Sequence, residues 1–180
     1  MNAPKERTEK NASRHAKIAA LDILMRIAIA LFVVFLVFTT IFVPISVVGE
    51  GMSPMLQNGE IVLMSTISKH IATPKRGEAV VYEQDGKRWI GRIIACPGES
   101  IQVQNGNVYV NDQYLDEATY RLDDSVFDLE KQVIPQGAVF VMCDDRSEMD
   151  GMGIITYEEI QGIVRMRIYP LSRINFFGAQ

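Results

Sequence analysis

The groups in this chain that could carry chemistry are few. Two cysteines, Cys96 and Cys143, and two histidines, His15 and His70, are too few ligands for a zinc cluster. Neither histidine is placed to make a thiolate, so cysteine-protease chemistry is not expected. Lys87 stands beside a Gly turn, where water reaches it. Ser53 and Ser147 offer hydroxyls. The densest charged motif is Asp144-Asp145-Arg146, followed by Asp150. No metal or organic cofactor is indicated by this inventory.

These groups need elements to position them, and the 180 residues allow one globular domain and little more. Residues 1–26 hold six Lys/Arg against three Asp/Glu, and the remainder holds twelve against nineteen. An acidic body argues against a nucleic-acid binder, which would show a basic face. The 22 residues 27–48 carry no charge. About 20 residues at 1.5 Å rise cross a hydrocarbon layer of about 30 Å, and a helix is the single-segment solution because lipid offers the backbone no partners. The span is longer than the apolar core of a cleavable signal. Lys5, Arg7, Lys10, Arg14, Lys17 and Arg26 precede it, and no Lys or Arg follows until Lys69. The positive flank predicts a cytoplasmic N-terminus. The expected organisation is therefore a cytoplasmic segment 1–26, a transmembrane helix 27–48 with Pro44 near its outer end, and an extracytoplasmic domain 49–180 in a single-pass cell-membrane protein.

The outer part reads as strands. Residues 60–66, 77–83, 87–95, 101–104, 107–110, 138–142 and 160–169 are short apolar or alternating runs. Asp85-Gly86 and Asn105-Gly106 separate two pairs of them, and an Asn-Gly pair tolerates the positive φ values of a type I′ hairpin turn. Residues 156–160 suggest one short turn. The acidic run Asp116, Glu117, Asp123, Asp124, Asp128 and Glu130 reads as a solvated loop or edge between strands, or else an interaction surface.

Three stretches, in order after a single N-terminal anchor, resemble bacterial type I signal peptidases. Gly51-Met52-Ser53-Pro54-Met55-Leu56 resembles the family's Ser-Met-x-Pro-Thr-Leu. Trp89-Ile90-Gly91-Arg92-Ile93-Ile94-Ala95-Cys96-Pro97-Gly98-Glu99 resembles aromatic-Ile-Lys-Arg-Val-Ile-Gly-x-Pro-Gly-Asp. Asp144-Asp145-Arg146 with Asp150 resembles Asp-Asn-Arg followed by Ser and Asp-Ser-Arg, but three residues separate Arg146 from Asp150 where the family has four, and Gly151 and Met152 stand where Ser and Arg are usual. A hairpin, Gln104-Asn105-Gly106-Asn107, follows the second motif. The resemblance covers residues about 25–178 and implies a mainly β, signal-peptidase-like extracytoplasmic domain on one N-terminal transmembrane helix.

The family's chemistry joins a serine nucleophile to a neutral, desolvated lysine base. The resemblance places Gly51 at the serine position and Gly91 at the lysine position, so a catalytic pair is not expected. Ser53, if the strand were extended, would share the side of Gly51 but lie about 6–7 Å along it. The pseudo-active cleft implied by the resemblance contains Met52, Ser53, Pro54, Ile90, Arg92, Asp144, Arg146 and Asp150, with Met55, Ile93 and Met142 as further apolar lining. Cys96 and Cys143 fall in motifs that converge in the family, which leaves open either a disulfide or two buried thiols. The implied function is a non-catalytic, membrane-bound binder of a secreted polypeptide such as a pilin, a preprotein or a sortase, with relatives that assist sortase-dependent pilus assembly in Gram-positive bacteria as the precedent. The alternative is an active signal peptidase I.

Overall fold

The computed structural model describes residues 3–66, 73–121, 126–147 and 151–178, with side chains described from residue 20 onward. Lys69, His70, Asp123, Asp124 and Asp150 lie outside these residues. Two compact units divide the chain, residues 1–41 and 42–180.

The first unit is one helix, α1 (Ala3–Ile41). Its 22 residues Ala20–Ile41 are long and apolar enough to cross a membrane, and its apolar side chains from Leu21 to Phe38 are exposed. The span includes two charges, Asp22 and Arg26, which pair one helical turn apart at 2.8 Å. Near the end of the helix, Thr39 and Thr40 both donate their hydroxyls to the Leu36 carbonyl.

The second unit begins at once with β1 (Phe42–Ser46). This corrects the expected helix over 27–48: residues 42–46 form a strand, not the outer end of the span. Pro44 explains the switch. It supplies no N–H to a helical turn and disfavours the helical region at Val43. A proline is tolerated in a strand at a sheet edge, and β1 is the edge of its sheet.

An eight-stranded antiparallel sheet runs in the order β1, β2 (Ile61–Ser65), β11 (Ile160–Tyr169), β3 (Ala79–Gln84), β4 (Lys87–Ala95), β9 (Ala138–Met142) and β10 (Gly153–Thr156), with β12 (Asn175–Phe176) also pairing with β11. A smaller sheet has the order β7 (Gln113–Tyr114), β6 (Asn107–Val110), β5 (Ser100–Gln104), β8 (Leu129–Val133). All seven runs expected as strands are strands. Both expected hairpin turns form: Asp85 and Gly86 have φ of 53° and 72°, and Asn105 and Gly106 have 49° and 75°. The pairs Gln84 with Lys87 and Gln104 with Asn107 close two-residue loops. β1, β7, β8, β10 and β12 are not expected from the sequence, being short or broken by Pro, Gly or charged residues.

Strands β3 and β9 are buried along most of their length, and β4 over its second half. This explains their continuous apolar runs: strands covered on both faces have no polar side to alternate. Val80, Tyr82, Ile93, Val139, Val141, Ile155 and Ile163 fill one face of the large sheet. Met52, Leu56, Val62, Met64, Val81 and Val164 fill the other. Ile94, Ile101, Val108, Ile134, Phe140 and Met142 join the large sheet to the small one. Each such side chain contributes about 1.5–3 kcal/mol on burial, which makes these clusters the frame on which the site is held.

Candidate functional site

The first motif is a compact turn and not an extended strand. Ser53 N–H donates to the Glu50 carbonyl at 2.7 Å and Leu56 N–H to the Met52 carbonyl at 2.7 Å. Met52 and Leu56 drive into the core, at 3% and 0% exposure. Arg167, itself paired with Glu60 at 2.9 Å, donates to the Met55 carbonyl at 2.7 Å. Gly51 is tied to the third motif, its carbonyl accepting from Asp145 N–H at 3.0 Å. The extended geometry expected for Ser53 is therefore not formed, and Ser53 does not line the cleft described below.

The second motif lies on β4, whose side chains alternate between two faces. Ile90 packs with Met52 and Leu56, while Trp89 and Ile93 pack on the opposite face with Tyr82. Gly91 belongs to the Trp89 face. A Cβ there would meet the Tyr82 ring at 3.3 Å, the Met142 carbonyl at 3.4 Å and Val141 at 3.4 Å. The Tyr82 ring thus stands against the place where a side chain at position 91 would begin. Its hydroxyl donates to the Gly151 carbonyl at 2.5 Å. Burial, with Cys143 adding to it, pushes the Tyr82 hydroxyl well above its ordinary range, so it stays a donor.

Gly151 answers to the same pair of aromatics. Its φ is +79°, and a Cβ would lie 2.8 Å from the Trp89 ring. Only glycine reconciles that dihedral with that contact. Gly151→Ala is expected to destabilise the β unit by about 2–4 kcal/mol, from strain and overpacking together, read as a lowered midpoint in thermal unfolding of the full-length protein in detergent. An unchanged midpoint would mean that Trp89 moves aside without cost.

Two buried ion pairs lie behind the motifs. Arg92 grips Asp144 with two donors, Nε to Oδ1 at 2.7 Å and Nη2 to Oδ2 at 2.5 Å, with side-chain exposures of 5% and 0%. Arg146 binds Glu117 at 2.5 Å. Tyr120 links the pairs: its ring lies 4.3 Å from the Arg92 guanidinium and its hydroxyl donates to Glu117 at 3.2 Å. Burial pushes the Asp144 carboxyl above its ordinary value, with the Arg92 hydrogen bonds and charge working against it. Glu117 corrects the reading of its acidic stretch as a solvated loop, for it is buried and paired. The whole acidic stretch, residues 113–133, also includes β7 and β8.

Neither cysteine is in a disulfide, which removes the possible Cys96–Cys143 bridge. Cys143 is buried and lines the cleft. Cys96 packs beside the Trp89 and Ile93 face, and burial followed by the nearby Glu99 raises its thiol above its ordinary value. It is therefore a poor source of thiolate.

A cleft of about 580 Å³ joins the three motifs. Gly51 and Met52 come to it from the first, Trp89 and Ile90 from the second, and Cys143 and Ser147 from the third. Its remaining wall is the segment from Ile45 to Gly49, with Arg88 also in the lining. Of the residues expected there, Met52 and Ile90 are present with Gly51. Ser53, Pro54, Arg92, Asp144, Arg146 and Gly91 are not in the lining; Arg92, Asp144 and Arg146 are buried and act as a foundation. Met55, Ile93 and Met142 also do not line it. The Ser147 hydroxyl donates to Asp145 at 2.6 Å, an acceptor that holds the hydroxyl without a basic nitrogen.

A family profile described as signal peptidase, peptidase S26, matches residues 20–169. The chain belongs to the signal peptidase S26 family. It is 34% identical over 170 residues to signal peptidase I P of Bacillus subtilis subsp. natto, covering 86% of this chain and 92% of that protein. It is 30% identical over 191 residues to signal peptidase I of Bacillus amyloliquefaciens, covering 97% of this chain and 98% of that one. A crystal structure of a signal peptidase I from Enterococcus faecalis V583 aligns with a TM-score of 0.43 and 21% identity, covering 52% of this chain and 97% of that one.

Within this signal peptidase fold, several residues that shape the cleft gave little signal in the sequence. Tyr82 looked like one apolar position in a strand. Glu117 is 29 residues from Arg146, and no local pattern pairs them. Ser46, Val47 and Val48 sat inside a run that read as membrane span. Gly151 was visible as a departure from the family's third motif, and Trp89 and Tyr82 supply its physical cause.

Proposed function

We propose that this signal peptidase family member holds a secreted polypeptide in its cleft without cutting it. The observation that carries the reading is the pair of glycines. Gly51 lines the cleft with no hydroxyl, and Gly91 offers no amine, with the Tyr82 ring 3.3 Å from where its Cβ would stand. Cleavage by the family's route needs both a nucleophile and a base, and loss of either usually removes most of the rate.

The binding half of the reading rests on an open sheet edge. Val47 gives its N–H to Glu60 and takes an N–H from Gly59, so both of its backbone groups face β2. Alternation then turns the backbone groups of Ser46 and Val48 away from β2, towards the unpaired side. An extended peptide adds a strand to such an edge, with its side chains alternating into the adjoining cleft. The basic residues Lys5 to Arg26, on the part of α1 ahead of its apolar stretch, favour a cytoplasmic N-terminus and a β unit outside, where a pilin, a preprotein or a sortase would be met. Among these we favour a chaperone-like role in sortase-dependent pilus assembly.

The names of the relatives, signal peptidase I at 30–34% identity, favour a second reading, an active peptidase with other catalytic residues. One experiment separates the two. Full-length protein in detergent is mixed with a preprotein bearing small residues at −3 and −1 and a photo-crosslinker nearby. The expected result is an intact preprotein and a crosslink to the Ile45–Met52 wall. Cleavage at the signal site, abolished by Ser147→Ala or Ser53→Ala, would establish the second reading instead.

A further inference from the structure

The cleft is not electrically neutral. Arg88 is the only charged side chain among the described residues that line it. It stands on the same face of β4 as Ile90 and Arg92, because side chains two apart share a face. Arg92, deeper along that face, is fully engaged by Asp144. Arg88 is exposed and takes part in no ion pair with any described residue. Its cross-strand neighbour is Glu83, but that carboxylate accepts from the Gln161 amide instead, at 2.5 Å. The position has no need of a cation for the fold: β4 is exposed from Lys87 to Arg88, and the β3–β4 turn is set by Asp85 and Gly86.

From these observations we propose that Arg88 selects the polypeptide, the cleft taking an extended segment with an acidic side chain seated opposite this guanidinium. This deepens the proposed peptide-holding function and rests on it. The geometry sets the register. Ile90 and Met52 make the apolar floor beside Gly51, and Arg88 lies two residues from Ile90, about 6–7 Å along the strand. Side chains of a bound extended peptide that face the cleft recur at that same spacing. The acidic residue therefore falls two positions from the small or apolar residue seated over Ile90. A guanidinium suits this task because its planar fork meets a carboxylate with two parallel donors. The large number of acidic residues elsewhere on the chain, which give it a formal charge of −4, makes a local cation at the cleft a discriminating feature.

The test uses full-length protein in detergent and fluorescent nine-residue peptides of Ala and Val, with Asp, Asn or Lys scanned through each position. Wild type is expected to bind the peptide with Asp at one position about three- to fivefold tighter than its Asn counterpart, the size of one partly exposed charge pair. Arg88→Gln should erase that difference, and Arg88→Glu should reverse it in favour of Lys. Raising salt from 50 to 500 mM, about the range over which screening becomes severe, should flatten the wild-type preference. Binding that ignores both the peptide's charge and the residue at 88 would overturn the role of Arg88 while leaving the peptide cleft standing. Failure of every peptide to bind, in wild type and variants alike, would overturn the peptide-holding function itself.

Discussion

Placing a serine and a lysine at the two positions that the resemblance assigns to the family's pair, in Gly51→Ser/Gly91→Lys, is expected to leave signal-site cleavage at least about a thousandfold slower than in an active relative, the scale on which a disrupted catalytic unit falls short. The reason is steric before it is chemical. A lysine begun at position 91 meets the Tyr82 ring at 3.3 Å, the Val141 side chain at 3.4 Å and the Met142 carbonyl at 3.4 Å. The closest of these, the Tyr82 ring, must give by a few tenths of an ångström, and its hydroxyl is held by the Gly151 carbonyl at 2.5 Å. Gly151 in turn is wedged under Trp89. The third motif, one residue shorter than the family's, is thus packed around two aromatics rather than around an amine. A general base must sit within about 2.6–3.2 Å of the hydroxyl it deprotonates. An added Tyr82→Phe keeps the ring but removes the hydroxyl that anchors it to Gly151, so the ring can shift and the residual rate should rise relative to the double variant. Cleavage by the double variant at the rate of an active relative, measured on a purified preprotein in detergent, would show that the scaffold was intact and only the two side chains were lost.

Removing one partner of the buried, doubly hydrogen-bonded Arg92–Asp144 pair should have a large effect on stability. Asp144→Ala or Arg92→Ala is expected to cost about 3–5 kcal/mol, because the survivor is left charged and dry. For a protein of this size that is a fall on the order of 10 °C in the thermal midpoint. The effect should not be additive. Arg92→Met/Asp144→Leu removes both charges and fills the space, and should be less damaging than either single change. Equal losses in the single and the double variants would mean that the ion pair itself is net stabilising, and that the loss does not come from an unpaired surviving charge. Arg92 makes the test informative for the site as well, since it also donates to the Gly77 carbonyl at 2.8 Å and lies over Tyr120. Its loss should loosen β4 where β4 carries Trp89, Ile90 and Gly91.

The strands were legible because their signals are local. A run such as Ala138–Met142 must be covered on both faces, and an Asn105-Gly106 pair between alternating runs has few other uses than a tight hairpin. The short strands β7 and β10 escaped notice because a strand of two to four residues is held by its neighbours in the sheet and not by its own composition. The end of the transmembrane span was misjudged for a related reason. Hydropathy cannot separate an apolar helix from an apolar strand, and Pro44, expected near the outer end of the helix, belongs to a sheet edge.

The residues alone determined what positions 51 and 91 can offer: glycine carries neither hydroxyl nor amine in any fold. They also determined the family, because three motifs in order over most of the chain constrain the backbone more than any one side chain does. What only the tertiary structure decided is what stands around position 91. Tyr82, Trp89 and Gly151 meet there from separate strands and a loop, Glu117 crosses 29 residues to reach Arg146, and Arg88 is left facing the cleft while Arg92 is consumed by Asp144. Such contacts depend on which strands are neighbours and which way each side chain points. Both are fixed by sheet order and register, quantities that involve distant segments at once and leave no mark on any single stretch of sequence.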